Sequence, residues 1–308
     1  MTILVAGHTG LVGSGLVEFF QGIGEEVQGV SSKELNLLDR EETFEYLIDL
    51  RPQVVIDAAA VVGGIGANSS LPVDFLSKNL QIQTNLMDAA FKANVRKFVF
   101  LGSSCIYPRS CPQPIREEFL LTGPLEVTNS AYAVAKIAGI ELIRSYRKQF
   151  GCKWISLMPT NMYGPRDNFN LDLGHVLPVL IHKFVLAKEN HLDFVLLWGS
   201  GKPLREFLHT ADLAAATKVA LDKYDDESHL NVGSGVEVSI AQLASLVAKS
   251  VGYEGQIRWD TSRPDGTPRK ILDSSKMRSL GWLPAYTLEE GIRQTCDWFV
   301  ANRESIRK

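Results

Sequence analysis

Cysteine is scarce in this chain of 308 residues, and the four present form no pattern. Cys105, Cys111, Cys152 and Cys296 make no CxxC pair and have no histidine at metal-ligand spacing. No metal site or disulfide framework is therefore expected, and free thiols in a reducing cytoplasm are the simplest reading. An excess of one charge is missing as well. Lys+Arg number 32 against 35 Asp+Glu, a formal net charge of −3, with no basic block. A dedicated nucleic-acid or membrane-surface binder is not expected from that balance. Long apolar runs are also lacking: VVIDAAAVVGGIG contains Asp57 and several glycines, and it falls short of the ~20 apolar residues that a membrane span needs. The opening MTILVAGHTG enters a strand directly, without a basic n-region or cleavage site, so no signal peptide is expected. What remains is an ordinary globular composition, 45% hydrophobic and 22% charged, on a chain long enough for two domains.

The first half alternates strand-like and helix-like segments. TILVAG, EEVQGV, QVVIDAAA, KFVFLGSS and WISLMP read as strands. Between them lie helical stretches: LVGSGLVEFFQGIG, then DREETFEYLIDLR with Asp39 and Glu42 placed as a capping box. A long helix is expected to open at Ser70-Leu71-Pro72 and end near Asn94, and another to run from Ser130 to Phe150. Repeated βαβ units imply an α/β fold, a doubly wound parallel sheet with helices on both faces. From Gly164 onward Gly, Pro and Asn break the pattern. A dinucleotide-binding domain over 1–164 is expected, followed by a smaller mixed α/β substrate domain over 165–308, with some of its segments returning to the first.

GHTGLVG puts Gly7, Gly10 and Gly13 between the first strand and the first helix. Such glycines allow a tight turn, close approach of a pyrophosphate and tight helix packing, with the anion on the helix N-terminus. The motif alone is weak, and a plain glycine-rich turn would look the same, but the first βα turn of a βαβ series is the context it demands. At the end of the second strand, a carboxylate would select NAD. Ser31, Ser32 and Lys33 stand there ahead of Glu34, and two hydroxyls with an ammonium suit a 2′-phosphate. NADP is the expected cofactor, against an exposed polar turn as the bland reading.

GSSCIYP, residues 102–108, crowds two hydroxyls, a thiol and a phenol into the end of a strand. Downstream, YAVAK sets Tyr132 and Lys136 on one helical face. Tyrosine titrates near ~10 and lysine near ~10.4, and a neighbouring ammonium is expected to lower the phenol and make it a proton donor to a carbonyl. YxxxK alone is usually a chance match. With a glycine loop upstream and Ser103 at a strand end, both facing the crevice of a doubly wound sheet, chance becomes a poor explanation.

The glycine loop, the strand-end serine and YxxxK together resemble the extended short-chain dehydrogenase/reductases, whose sheet is of the Rossmann type. Within them, GSSCIYP, YAVAKIAG, PTNMYGPRDNF, GHVLP, WGSGKPLREFLHTADLA and PDGTPRK resemble the GDP-L-fucose synthase family (GDP-4-keto-6-deoxy-D-mannose 3,5-epimerase/4-reductases) along essentially the whole chain. The resemblance implies a GDP-linked 4-keto-6-deoxy sugar as substrate, epimerised at C3 and C5 and then reduced at C4. That order is chemical: the C3 and C5 hydrogens are acidic only while they flank the ketone. It assigns the inversions to Cys105 and His175, and the C4 oxygen to Ser103 and Tyr132, with Lys136. Cofactor contacts are implied for Gly7, Thr9, Gly10, Leu11, Val12, Gly13, Ser31, Ser32 and Lys33. They continue with Ala59, Leu101, Gly102, Ser103, Tyr132, Lys136, Pro159, Asn161, Met162 and His175. The sugar nucleotide is implied at Asn161, Lys183, Trp198, Arg205 and Asp265. Bacterial relatives often carry arginines where Thr9 and Ser32 stand here, whereas animal relatives share the Ser-Ser-Lys pattern.

Plainer readings compete at each place. Free cysteine is often core packing, and His175 is equally compatible with a loop histidine bonded to a carbonyl. Lys183, Arg205 and Trp198 read otherwise as surface charge and a core indole, and Cys111, Cys152, Cys296, His182 and His209 as structural. A non-catalytic dinucleotide sensor would need the glycine loop but not Ser103, Tyr132 and Lys136. A sibling enzyme on another GDP-linked keto sugar, a dideoxyhexose or a 6-deoxyheptose, differs only in pocket shape. Long apolar-rich helices near 73–94 and 130–150, paired across a two-fold axis in relatives, imply a homodimer.

Overall fold

In the computed structural model, which describes residues 1–263 and 265–305, the strand–helix alternation builds one parallel sheet. The chain runs β1 (Thr2–Ala6), α1 (Leu11–Gly22), β2 (Glu26–Val30), α2 (Arg40–Leu50), β3 (Val54–Asp57), α3 (Ile65–Ser70), α4 (Asn79–Lys92), β4 (Lys97–Leu101), α5 (Ser130–Phe150) and β5 (Ile155–Pro159). It continues through β6 (Asn161–Tyr163), α6 (Val176–Glu189), β7 (Phe194–Trp198), β8 (Leu204–His209), α7 (Thr210–Lys223) and β9 (Leu230–Val232). The last part holds β10 (Glu237–Ser239), α8 (Ile240–Val251), β11 (Gln256–Asp260), β12 (Arg269–Lys270), α9 (Ser275–Ser279) and α10 (Leu288–Ala301). Strand order is β2-β1-β3-β4-β5-β9, all parallel. The order reverses between β1 and β3, so the ligand crevice of such a sheet lies beyond their C-terminal ends.

Alternate side chains feed two cores. Leu4, Val55, Phe98 and Phe100 face Leu86 and Met87 of α4 and Ile140 and Ile143 of α5. Ile3, Val5, Ile56 and Val99 face Leu16 and Phe20 of α1 and Leu213 and Ala216 of α7. Helices on both faces explain why these strands read as continuous apolar runs. At ~25 cal/mol per Å² of buried apolar area, these two layers are the main stabilising contribution to the sheet.

A second region is centred on β8, which lies between β10 and β12 and also pairs with β6, while β7 and β11 form a separate parallel pair. Its core joins Leu180 and Phe184 of α6, Leu243 and Val247 of α8, and Ile292 and Phe299 of α10. Elements cross between the regions. β6 precedes residue 164 yet pairs with β8, whereas α7 packs on α1 and β9 joins the parallel sheet. The α1–α7 approach is close: a Cβ on Gly15 would lie 2.9 Å from the Thr210 Cβ.

The long helix expected to open at Ser70-Leu71-Pro72 is present: helical backbone begins at Pro72 and runs through a π-helical turn at Asp74–Lys78 into α4, which ends at Lys92. α3 is a separate short helix before it, and Leu71, at φ −126°, ψ 45°, lies between the two. Pro72 suits the first turn, where its missing N–H has no intrahelical partner to lose. α2 begins with half of the expected capping box: the Asp39 carboxylate accepts from the Glu42 N–H at 3.0 Å, but the Asp39 N–H donates to the Asn36 carbonyl at 2.8 Å instead of to Glu42. Among the described residues no helix is long and apolar enough to cross a membrane.

Candidate active site

The glycine loop leaves β1 and is shaped by what cannot fit there. Gly7 has φ +80°, and a Cβ on it would meet the Ala58 oxygen and the Ala59 Cα at 2.9 Å. A Cβ on Gly13 would lie 2.2 Å from the Gly7 oxygen. Gly10 differs: its nearest neighbour, the Gly7 oxygen, is 3.3 Å from the added carbon, so the protein itself makes a weaker demand for glycine there. A phosphate approaching the start of α1 supplies the missing reason, since α1 has no side-chain cap on its first N–H groups. The loop, the α1 N-terminus with Leu11 and Val12, and Ala59 beside Gly7 thus fit a dinucleotide pyrophosphate.

The end of β2 is less open than the sequence implies. Glu34 folds back on Ser31, its Oε2 accepting from the Ser31 N–H at 2.8 Å and the hydroxyl at 2.7 Å, and His8 Nδ1 lies 3.7 Å away. Ser31 therefore already has an anion on its donors, while Ser32, Lys33 and Thr9 are exposed.

Tyr132 and Lys136 lie on α5 at the end of β4. Gly139 brings the helix there: a Cβ on it would lie 2.3 Å from the Phe100 ring, so only glycine permits this approach. Lys136 is buried and donates to the Leu101 carbonyl at 2.9 Å, with Nζ 4.7 Å from the Phe100 centroid and 5.9 Å from that of Tyr132. Burial lowers its pKa, opposed by Asp57. Burial in turn pushes Asp57 up to about 6, opposed by Lys136 and by the Ala59 N–H that it accepts at 3.2 Å. The expected lowering of Tyr132 by Lys136 is not found. Burial pushes the phenol well above its ordinary value, with Cys105 and Asp57 adding to the rise, while the ammonium donates to the Leu101 carbonyl. A phenol held protonated still donates once an alkoxide forms against it.

Ser103 and Cys105 follow β4 on a short 3₁₀ turn, Ser104–Ile106, where the Ser103 hydroxyl accepts from the Cys105 N–H at 3.2 Å. Two donors converge on the half-buried Cys105 sulfur: Asn129 Nδ2 at 3.3 Å and Lys270 Nζ at 3.6 Å. A cavity of about 50 Å³ opens beside these three residues. A thiol between an amide donor and an ammonium has the surroundings of a reactive group.

His175 is the N-cap residue of α6. Its loop is stitched to the one after β3 by the Gly64 N–H, which donates to the Leu173 carbonyl at 2.9 Å. Crowding by the protein lowers its pKa through desolvation, an effect its surface exposure moderates. Pro159 ends β5, and the Asn161 amide donates to the Glu206 carbonyl at 2.7 Å, placing β6 and Met162 against β8.

The residues implied for the sugar nucleotide divide. Trp198, 68% exposed, lies under the Arg263 guanidinium at 5.1 Å. Asp265 accepts from the Ser200 N–H at 2.8 Å and its hydroxyl at 2.6 Å, and its charge opposes the lowering that burial imposes on Arg205. Gly199, at φ +79°, lets that carboxylate in: a Cβ there would meet Asp265 Oδ1 at 2.4 Å. Lys183 is carried by α6, where burial lowers it and Asp172 opposes.

The sequence model of the NAD dependent epimerase/dehydratase family matches residues 3–233. This chain belongs to that family. It is 51% identical over 301 residues to GDP-L-fucose synthase 1 of Arabidopsis thaliana, covering 97% of this chain and 93% of that protein. A GDP-L-fucose synthetase of Naegleria fowleri bound to NADP superposes with a TM-score of 0.93 at 32% identity, covering 100% of this chain and 96% of that one. A GDP-6-OMe-4-keto-L-xylo-heptose reductase from C. jejuni gives 0.91 at 32% identity, with 98% of each chain covered.

Beside the family's nucleotide loop and Tyr–Lys pair, the fold adds three residues that spacing alone does not single out. Asn129 precedes Tyr132 in TNSAY, Lys270 closes PDGTPRK, and Asp57 is the one charge in the most apolar run. The signal for Asp57 was its presence where a charge is costly. For Lys270 there was no local signal. Among the described residues, no group of three His, Cys, Asp or Glu side chains could hold a metal.

Proposed function

We propose that this chain converts GDP-4-keto-6-deoxy-D-mannose to GDP-L-fucose, by epimerisation at C3 and C5 followed by NADPH-dependent reduction at C4. One observation carries the reading: a thiol with Asn129 and Lys270 on its sulfur stands at the same strand end as Ser103, Tyr132 and Lys136. A simple carbonyl reductase needs only the second set. The names of relatives at 51% identity and the NADP-bound neighbour support the substrate and cofactor.

Bound NADPH supplies the hydride. Ser103 and Tyr132 hold the C4 oxygen, first as the enolate forms and then as the alkoxide is protonated. Cys105 and His175 exchange protons at C3 and C5 from opposite faces, work suited to a thiol and an imidazole as acid–base groups. Lys136 keeps a positive charge behind Tyr132, and Asp57 keeps Lys136 charged. Arg205 and Lys183 neutralise the diphosphate, Trp198 covers the base or ribose, and Asp265 orders the loop beneath them. Ser32 and Lys33 would take the 2′-phosphate, and Ser31 would join them only if Glu34 released its donors. A kcat/KM preference for NADPH over NADH of at least about tenfold follows; equal use of both contradicts it. Residues 1–164 with α7 and β9 make the cofactor-binding part, and the rest the sugar-nucleotide part. The enzyme works in the cytoplasm as a homodimer through α4 and α5, whose exposed Phe91, Val134 and Phe150 support such pairing. Light scattering at micromolar concentration checks the dimer, and a monomer mass refutes it.

The heptose reductase neighbour favours one second reading, a sibling reaction on another GDP-linked 4-keto sugar. Incubation with GDP-4-keto-6-deoxy-D-mannose and NADPH, with the product identified by NMR, separates them. GDP-L-fucose is the expected product; an unreacted substrate supports the sibling.

A further inference from the structure

Asn231 is fully buried on β9, at the edge of the parallel sheet, and three pieces of chain meet on it. Its Nδ2 donates to the Ile115 carbonyl at 3.0 Å and the Asp273 carbonyl at 3.3 Å. Its backbone N–H donates to Glu117 Oε1 at 3.1 Å, and its Oδ1 accepts from the Tyr107 hydroxyl at 2.5 Å. The Ile115 N–H donates to the Ile271 carbonyl, and the Asp273 N–H to the Ile115 carbonyl, each at 2.8 Å. Tyr107 closes the turn that carries Cys105, and residues 271–273 continue directly from Lys270. Both partners of the Lys270–Cys105 contact therefore hang from one amide.

Counting protons fixes the direction of every bond in this group. Two carbonyls take both amide hydrogens of Asn231, so its oxygen must accept. Tyr107 has one proton and gives it to Asn231; toward His229 Nε2, at 2.9 Å, its oxygen accepts and the ring nitrogen donates. Burial pushes His229 down to about 4, which keeps the ring neutral. A network whose members have one way to bond transmits a displacement to its neighbours rather than absorbing it. The Tyr132 side uses none of these bonds.

We infer that Asn231, acting through Tyr107 and the Asp273 carbonyl, is a positioning residue that holds the Lys270 ammonium against the Cys105 thiol and so supports epimerisation rather than reduction. Its effect on catalysis rests on the reading of Cys105 as an epimerising group.

The test uses Tyr107→Phe, which removes the hydroxyl and keeps the ring, together with Lys270→Met and the double variant. Alkylation of Cys105 by iodoacetamide is followed by peptide mass spectrometry, beside C3 and C5 exchange with deuterated water and NADPH oxidation. Tyr107→Phe should slow alkylation and exchange by at least about threefold, the scale of a displaced, partly exposed ion contact, and change NADPH oxidation with an already epimerised ketone far less. In the Lys270→Met background it should add nothing further, since both act through one contact. A folded Tyr107→Phe with wild-type alkylation overturns the inference, and so do effects that multiply in the double variant. Asn231→Asp keeps the acceptor for Tyr107 but sets an oxygen against two carbonyls; it must give the same pattern, which covers the case of a misfolded Tyr107→Phe. Alkylation needs no substrate. If Cys105→Ser exchanged at the wild-type rate, the catalytic reading would fall while the positioning result stood on its own.

Discussion

Tyr132 and Cys105 reach the same strand end by different routes. Tyr132 and Lys136 share one helix face, and the ammonium is fixed by a carbonyl of the adjacent strand. The donors on Cys105 come from 24 and 165 residues further along the chain. One half of the site is thus local and sheet-borne; the other is assembled by the tertiary fold around Asn231. A reductase can be built from one helix and one strand end. Adding a second proton-transfer group to the same ketone requires bringing distant chain to it.

Lys136→Met breaks the local half most severely. Loss of the ammonium while the stem remains should slow reduction by roughly 10²–10⁴-fold and leave C3 and C5 exchange measurable. Stopped-flow NADPH oxidation checks this, and a loss below tenfold would contradict it. Lys270→Met is the counterpart for the assembled half. Exchange should fall by about 10–100-fold, with reduction of an already epimerised 4-ketone nearly unchanged; a loss shared equally by both would erase the distinction. The smallest effect is a flat profile. Because burial holds Tyr132 protonated well above its ordinary range, single-turnover reduction should show no loss from its ionisation between about pH 7 and 9. An inflection in that window that vanishes in Tyr132→Phe would show the phenol to be lowered after all.

The same contrast explains what could be read without coordinates. Strand and helix order, the glycine loop and the Tyr–Lys face were legible because each is a short-range pattern of period or spacing. The start of the long helix at Pro72 was legible too, but the π-helical turn at Asp74–Lys78 inside it was not, since no local residue pattern marks it. The direction of the Tyr132 shift was not legible, since it depends on where the Lys136 ammonium points. Glu34 occupying Ser31 needed side-chain coordinates. Lys270 could not be placed by spacing, because β12 reaches Cys105 only through its pairing with β8 and the clamp at Asn231. The Tyr–Lys pair carried by one helix was visible; the donors that distant elements bring to Cys105 were not.

The central claim is that one ketone serves two separable reactions, with Cys105 in the first and Tyr132 in the second. The direct measurement is deuterium incorporation at C3 and C5 of GDP-4-keto-6-deoxy-D-mannose in deuterated water, compared between Cys105→Ser and Tyr132→Phe. Cys105→Ser should lose exchange by about 10²–10⁴-fold, since a hydroxyl is far too weak an acid to replace the thiol, while Tyr132→Phe should retain some exchange and lose reduction. Exchange of both positions by Cys105→Ser at the wild-type rate would make the thiol a packing residue and contradict the account.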